Sequence, residues 1–234
     1  MKNALITGAG GGLGQNLCKE FLKRGYRVFG WNNVETPAVG ELSAEYGDRF
    51  VFDIVDIGTY PAVEAAAGKV FQMTDSLDVI VNAAGILLRE ADKPLPELDI
   101  DGTSMAMYNI NAVGPLRVAK ALLPLLKKGD DKLVIQISSE SGSMTTHMPN
   151  YTYRYGYCMS KAALNIQSII LQRYLKDDGV RVYLFHPGWM QTAMGGEKAP
   201  LLPSQSAASI VGLFDNGSRP DTMYMDYDGT PRAW

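Results

Sequence analysis

The sequence predicts an α/β fold: one doubly wound domain on a mostly parallel sheet of about seven strands, with helices on both faces. Three observations carry that prediction. Short apolar runs alternate along the chain with longer segments of helical periodicity. A glycine-rich turn lies directly between the first apolar run and the first helical segment. Polar or glycine-bearing turns follow strand after strand, and in a parallel sheet such turns share one edge, where open α/β folds bind ligands.

The bulk properties agree. The chain has 234 residues, 46% hydrophobic and 20% charged, enough to bury a substantial core in a single domain, residues 1–234. A net charge of −3 without a Lys/Arg cluster argues against nucleic-acid or anionic-membrane partners. No apolar run approaches a membrane span, and Ala4-Leu5-Ile6 is too short for a signal peptide. The two cysteines, Cys18 and Cys158, fall in predicted helices. No disulfide framework is expected, and the reducing cytoplasm is the expected compartment. No metal site is expected either.

Asn3-Ala4-Leu5-Ile6 reads as a buried strand, and residues 15–24 as a helix closed by Gly25. Between them runs Thr7-Gly8-Ala9-Gly10-Gly11-Gly12-Leu13-Gly14. Glycines let a backbone approach a pyrophosphate, and a helix N-terminus offers free N–H groups. A flexible loop is the plain alternative, disfavoured by the position between strand and helix. Residues 26–31 and 49–52 read as the second and third strands. The second ends at Trp31-Asn32-Asn33, with neither the acid that grips a ribose 2′-hydroxyl nor an arginine. Asp53-Ile54 follows the third strand, where the acid either meets an adenine or caps a turn. Residues 59–73 read as a helix weakened by Gly68.

Residues 77–81 form a fourth strand ending in Asn82-Ala83-Ala84-Gly85, small residues that admit a ligand or another backbone. Residues 105–126 read as one long helix. Within it Pro115 lacks the N–H that the Asn111 carbonyl would use, which leaves either a plain kink or a carbonyl free for another donor. Residues 132–137 form a fifth strand ending at Ser138-Ser139, and residues 180–186 a sixth followed by Pro187-Gly188. A last helix over 204–214 and a last strand over 222–225 complete the pattern.

Tyr157 and Lys161 lie four apart in a segment dense in helix formers, and so share a helix face. A free tyrosine has a pKa of ~10. A neighbouring ammonium favours the phenolate, which suits a general acid/base. By spacing alone the pair is also compatible with an ordinary amphipathic helix.

Taken together, Thr7-Gly8-x-x-x-Gly12-x-Gly14, Asp53, Asn82-Ala83-Ala84-Gly85, Asn111, Ser139, Tyr157-x-x-x-Lys161 and Pro187-Gly188-x-x-x-Thr192 resemble the motif set of the short-chain dehydrogenase/reductase family. The stretch 155–165, the run His186-Pro187-Gly188-Trp189 and the run 226–231 resemble its C-factor/Sniffer-like carbonyl-reductase branch. The resemblance implies a Rossmann-type domain and hydride exchange between a nicotinamide cofactor and a carbonyl/alcohol pair. It implies Tyr157 as proton donor or acceptor and Lys161 as the group that lowers its pKa and holds the nicotinamide ribose. Ser139 would bond the substrate oxygen, and Asn111 would hold a proton-relaying water. Gly8, Gly12, Leu13 and Gly14 would cradle the pyrophosphate, with Asn32, Asp53 and Ile54 around the adenosine. Asn82, Ala83, Ala84 and Gly85 would flank the same side, and Pro187, Gly188 and Thr192 the nicotinamide. The absent acid and the resemblance together lean weakly towards NADP(H) over NAD(H).

The gap from Ser139 to Tyr157 is a few residues longer than the family pattern, which points to the intervening loop for substrate specificity. Met144, His147, Met148, Tyr151, Trp189, Met190 and Met194 form an aromatic and thioether-rich set with little fixed charge. They predict a small apolar or aromatic carbonyl or alcohol as substrate. Apolar residues cover more than one face of the helices from Met105 and Tyr157, which predicts a homodimer or homotetramer. A cofactor-binding signalling protein of the same fold is the alternative function, opposed by the presence of all four catalytic residue types. A sugar epimerase or dehydratase needs a larger substrate region than remains after Thr192.

Overall fold

Strand β1, Asn3–Thr7, runs through the middle of the sheet and is buried over its full length. Its side chains divide by the two-residue period of a strand: Ala4 and Ile6 enter one hydrophobic core, Leu5 the other. The computed structural model describes residues 1–146 and 153–234. Within them β1 is joined by β2 (Arg27–Asn32), β3 (Phe50–Ile54), β4 (Val79–Asn82), β5 (Leu133–Ile137), β6 (Arg181–His186) and β7 (Tyr224–Asp226). The seven strands form one sheet in the order β3-β2-β1-β4-β5-β6-β7, every pair parallel. The order reverses between β1 and β4, which pair Thr7 with Asn82. Chain leaving these two strands departs to opposite faces, so a crevice opens at their carboxyl ends.

The helices are α1 (Gly12–Lys23), α2 (Pro37–Tyr46), α3 (Tyr60–Met73), α4 (Met105–Tyr108), α5 (Gly114–Leu126), α6 (Tyr155–Tyr174) and α7 (Pro203–Gly212). Leu17 and Phe21 of α1 and Ile210 of α7 bury against one face of the sheet. Val63 and Val70 of α3 and Val118 and Leu122 of α5 bury against the other. Fully withdrawing each such aliphatic side chain from water contributes about 1.5–3 kcal/mol. Cover on both faces is what an all-parallel sheet requires. One stripe stays uncovered: Ile166, Ile170 and Tyr174, four apart along α6, are exposed, as is Leu116 of α5.

The structure corrects the sequence expectations at several elements. Helix α2 was not expected. Thr36 at its N-cap and Pro37 in its first turn are start signals, but only Val39 and Leu42 are buried, too thin a stripe to announce a helix. Strand β3 runs further than expected, because it pairs with β2 from Val28↔Phe50 as far as Asn32↔Ile54. Asp53 and Ile54 therefore lie inside the strand and not beyond it. The helix over 105–126 is interrupted: α4 passes into a π-helical turn, Asn109–Val113, and only then into α5, with Pro115 in its first turn. The wider turn replaces a kink. Gln167 Nε2 of α6 donates to the Ala112 carbonyl at 2.7 Å, and Arg117 Nη1 to that of Asn109 at 3.4 Å. Gly68 does not break α3; nothing lies within 4 Å of where its Cβ would be.

Candidate active site

A cavity of about 490 Å³ occupies the crevice. Its floor begins at the glycine turn, whose shape follows from close approaches that only glycine allows. Gly8 has φ of +71°, and a Cβ there would lie 2.8 Å from the Ala84 nitrogen. That N–H donates instead to Thr7 Oγ1 at 3.1 Å, tying the β1 and β4 loops together. At Gly14 a Cβ would come within 1.9 Å of the Gly8 carbonyl oxygen, and at Gly12 within 2.8 Å of Thr192 Cγ2. The turn is thus folded onto itself, with the start of α1 facing the cavity through Gly12, Leu13 and Gly14. Asn82 is buried, and neither its Nδ2 nor its Oδ1 has a hydrogen-bond partner. A dense glycine cradle, a helix start facing the cavity and an unsatisfied carboxamide beside them are the features that fit a dinucleotide phosphate.

At the other end the cavity is lined by Tyr157 and Lys161, both on α6 and both buried. Lys161 Nζ donates to the Ile137 carbonyl at 2.9 Å and lies 5.7 Å from the centroid of the Tyr157 ring. Burial disfavours the ammonium and lowers the lysine pKa to about 8. Asn111 stands in the π-helical turn, where its side chain grips the backbone after β4. Its Oδ1 accepts from Ile86 N–H at 2.8 Å, and its Nδ2 donates to the Ile86 carbonyl at 2.9 Å and to Ser160 Oγ at 3.0 Å. Ser160 Oγ donates in turn to the Tyr157 carbonyl at 2.7 Å. Ser139 is buried, and its Oγ accepts from Ser141 N–H at 3.1 Å. Ser138 rather than Ser139 lines the described cavity. Gly142, in the turn that follows, packs so closely that a Cβ would lie 2.9 Å from the Lys161 backbone.

The cavity selects among the residues expected from the sequence. Gly8, Gly12, Leu13, Gly14, Asn32, Ala83, Ala84, Gly85, Pro187 and Thr192 all line it. Asn82 lies just behind the lining, as does Gly188, whose φ of +82° and closeness to Leu201 mark a turn-former. Asp53 and Ile54 do not reach the cavity. Asp53 is paired with Lys69 of α3 at 2.7 Å, and Ile54 is exposed. Val55, Asp56 and Ile57 take their place, with Asp56 Oδ1 also accepting from Gly58 N–H at 2.8 Å. The signal was present: the segment between β2 and α3 carries two Asp-Ile pairs, and the second lies nearer the start of α3.

On the substrate side Met190 and Met194 line the cavity, whereas Met144 and Trp189 do not. Met144 is exposed. The Trp189 indole N–H donates to the Gly195 carbonyl at 2.8 Å, which fixes a half-exposed ring within its own loop. Tyr151, like His147 and Met148, lies outside the described residues. The apolar walls that sequence reasoning missed are Ile86, Ile110 and Ile137. Arg89 Nη2 donates to the Met194 carbonyl at 2.6 Å, joining the loops on the two sides of the cavity.

Comparison with known proteins gives these features a context. Residues 2–201 match the family model described as short chain dehydrogenase. The chain is 36% identical to C-signal of Myxococcus xanthus, over 69% of this chain and 95% of that protein. Its fold superposes on the carbonyl reductase Sniffer of D. melanogaster with a TM-score of 0.89 at 28% identity, covering all of both chains. A carbonyl reductase from Pseudomonas aeruginosa PAO1 in complex with NADP aligns with a TM-score of 0.81 at 25% identity, again over all of both chains. A seven-stranded parallel sheet, a glycine turn at its switch point and a family match over most of the length give one conclusion: the chain belongs to the short-chain dehydrogenase/reductase family of oxidoreductases.

Proposed function

We propose that this protein is a carbonyl reductase that uses a nicotinamide dinucleotide, NADP(H) in modest preference to NAD(H), and acts on small apolar or aromatic carbonyls. The observation that carries this reading is that the Tyr157–Lys161 pair and the glycine cradle line one continuous cavity. The nicotinamide, when bound, supplies the hydride. The rest is work for the chain's own side chains. Tyr157 gives its phenolic proton to the oxygen of the substrate carbonyl, or takes it back from an alcohol. Lys161, desolvated and hydrogen-bonded to Ile137, supplies positive charge beside that phenol and a donor for a ribose hydroxyl. Ser139, the residue after the cavity-lining Ser138, accepts from Ser141 N–H, which leaves its own hydroxyl proton for a substrate oxygen that reaches it. Asn111 holds the Ile86 backbone in place through both side-chain polar atoms, and the family resemblance gives it the relaying water. Ile86, Ile110, Ile137, Met190 and Met194 carry no charge, which supports an apolar substrate.

The carbonyl reductases named above support the same reaction, and the one solved with NADP supports the cofactor. The uncovered apolar stripe on α5 and α6 supports a homodimer or homotetramer. Among the described residues no helix is long and apolar enough to cross a membrane, and two unpaired cysteines support a reducing, cytoplasmic setting. The test is a panel of carbonyls and alcohols followed by nicotinamide absorbance. Turnover of aryl or alkyl ketones or aldehydes well above that of small anions is expected. Absence of turnover with either cofactor would overturn the reading.

A further inference from the structure

The hydroxyl of Tyr224 donates to the backbone carbonyl of Ser139 at 2.6 Å, although 85 residues separate the two. Tyr224 is at the start of β7, fully buried, and the Trp234 ring packs on it with centroids 5.2 Å apart. The Trp234 carbonyl accepts from Thr145 N–H at 2.9 Å and from the Thr145 hydroxyl. Segment 224–234 therefore grips the chain that carries Ser139 twice, once at the serine and once six residues further on. It also touches the neighbouring strand end, for a Cβ on Gly188 would lie 3.2 Å from the Tyr227 ring. A third grip is ionic. Arg232 Nε bonds Asp226 Oδ1 at 2.6 Å while its Nη1 lies 4.0 Å from Glu140 Oε2, and Glu140 N–H donates to His186 Nδ1 at 3.2 Å.

We propose that Tyr224, covered by Trp234, is a positioning residue for Ser139: its hydroxyl fixes the Ser139 peptide and so aims the serine Oγ at the substrate oxygen. The inference rests on the carbonyl-reductase reading above for its catalytic consequence. Ser139 follows directly on β5, with only Ser138 between, and the next peptide enters a short turn. The turn itself holds Oγ through Ser141 N–H, so rotation of the Ser139 peptide would carry Oγ and its local partner together. Within the turn Gly142 N–H also donates to the Ser139 carbonyl, at 2.9 Å; from outside it, the Tyr224 hydroxyl on that carbonyl and His186 Nδ1 on the Glu140 N–H of the same peptide together block the rotation. Burial pushes the Tyr224 hydroxyl up to about 12, which keeps it a protonated donor at neutral pH.

Tyr224→Phe, Trp234→Ala and Trp234→Phe, each made with Ser139 intact and in a Ser139→Ala background, test this. With Ser139 intact, Tyr224→Phe is expected to lower kcat about tenfold, on the scale of one lost hydrogen bond, with the NADPH dissociation constant unchanged. In the Ser139→Ala background the same substitution should change the residual kcat little, because the group it aims is gone. Trp234→Ala should follow Tyr224→Phe, and Trp234→Phe should restore most of the loss. Hydrogen exchange reads the grip without turnover: protection of Gly142 and Thr145 amides should fall in Tyr224→Phe. Equal kcat losses in both backgrounds would show a merely structural role and overturn the proposal, as would unchanged kcat. Unchanged amide protection overturns it even if no carbonyl is ever turned over, an outcome that would by itself defeat only the carbonyl-reductase reading. If Tyr224→Phe does not fold, Trp234→Ala leaves the hydroxyl present and decides the same question.

Discussion

Lys161 Nζ lies 5.7 Å from the centroid of the Tyr157 ring, one helical turn along α6. The lysine is held there by the Ile137 carbonyl and not by a carboxylate, so its charge remains directed to the cavity. Replacing Tyr157 with phenylalanine removes only the phenolic oxygen. Turnover is expected to fall by ~10²–10⁴-fold, the typical worth of a positioned general acid, while cofactor affinity changes little. Steady-state rates beside a fluorescence titration of NADPH measure both, and near-wild-type turnover would remove Tyr157 from the mechanism.

Burial of Lys161 also predicts a pH dependence of stability. Desolvation lowers its pKa in the folded protein from 10.5 to about 8. Between those values the unfolded chain binds a proton that the folded chain does not, so this contribution to stability rises with pH. Below about pH 8 the full cost of burying the ammonium is present, on the order of 3 kcal/mol; above 10.5 it is gone. In Lys161→Met this titration is absent. Urea unfolding of both proteins from pH 7 to 10.5 should show wild type gaining on the variant, and a constant difference across that range would contradict the assignment.

Asp56 and Asp53 make opposite predictions. Asp56 lines the cavity, so Asp56→Ala should weaken NADP(H) binding about tenfold or more, as expected for a lost hydrogen bond to a charged group. Asp53 is spent on Lys69 at the surface of α3, a kind of pair worth about 0–1 kcal/mol. Asp53→Ala should therefore leave the cofactor dissociation constant unchanged. The reverse pattern, read by calorimetric titration, would restore Asp53 to the site.

Trp31, Asn32 and Asn33 line the cavity at the end of β2 without a carboxylate to repel a 2′-phosphate and without a cation to hold one. A modest preference for NADPH is expected, with the two dissociation constants within about tenfold, or 1.4 kcal/mol. A large preference for NADH would count against this account of β2.

The stripe formed by Ile166, Ile170 and Tyr174 predicts self-association. Ile170→Lys puts a charge at a position already exposed in the single chain and should cost the monomer less than about 0.5 kcal/mol. Light scattering at micromolar concentration should show a dimer or tetramer for wild type and a smaller particle for the variant. Equal monomeric masses would refute the assembly.

Much of the molecule was determined by short-range pattern. The short apolar run Ala4-Leu5-Ile6, the glycine spacing through Gly14 and the four-residue separation of Tyr157 and Lys161 are properties of adjacent residues. They specify strand, turn and helix before any distant contact forms. The end of β3 was not decided in that way. It depends on how far β2 runs beside it, and two further paired residues moved Asp53 out of the cavity and brought Asp56 in. Trp189 is directed by an acceptor in its own loop, at Gly195, rather than by its hydrophobicity. The widening of the helix at Asn109–Val113 depends on side chains such as Gln167 that arrive from α6. Tyr224 reaches Ser139 only because β7 pairs with β6 at the sheet edge. Local periodicity is written in neighbouring residues, whereas the end of a strand and the direction of a loop side chain depend on partners that only the folded chain brings near.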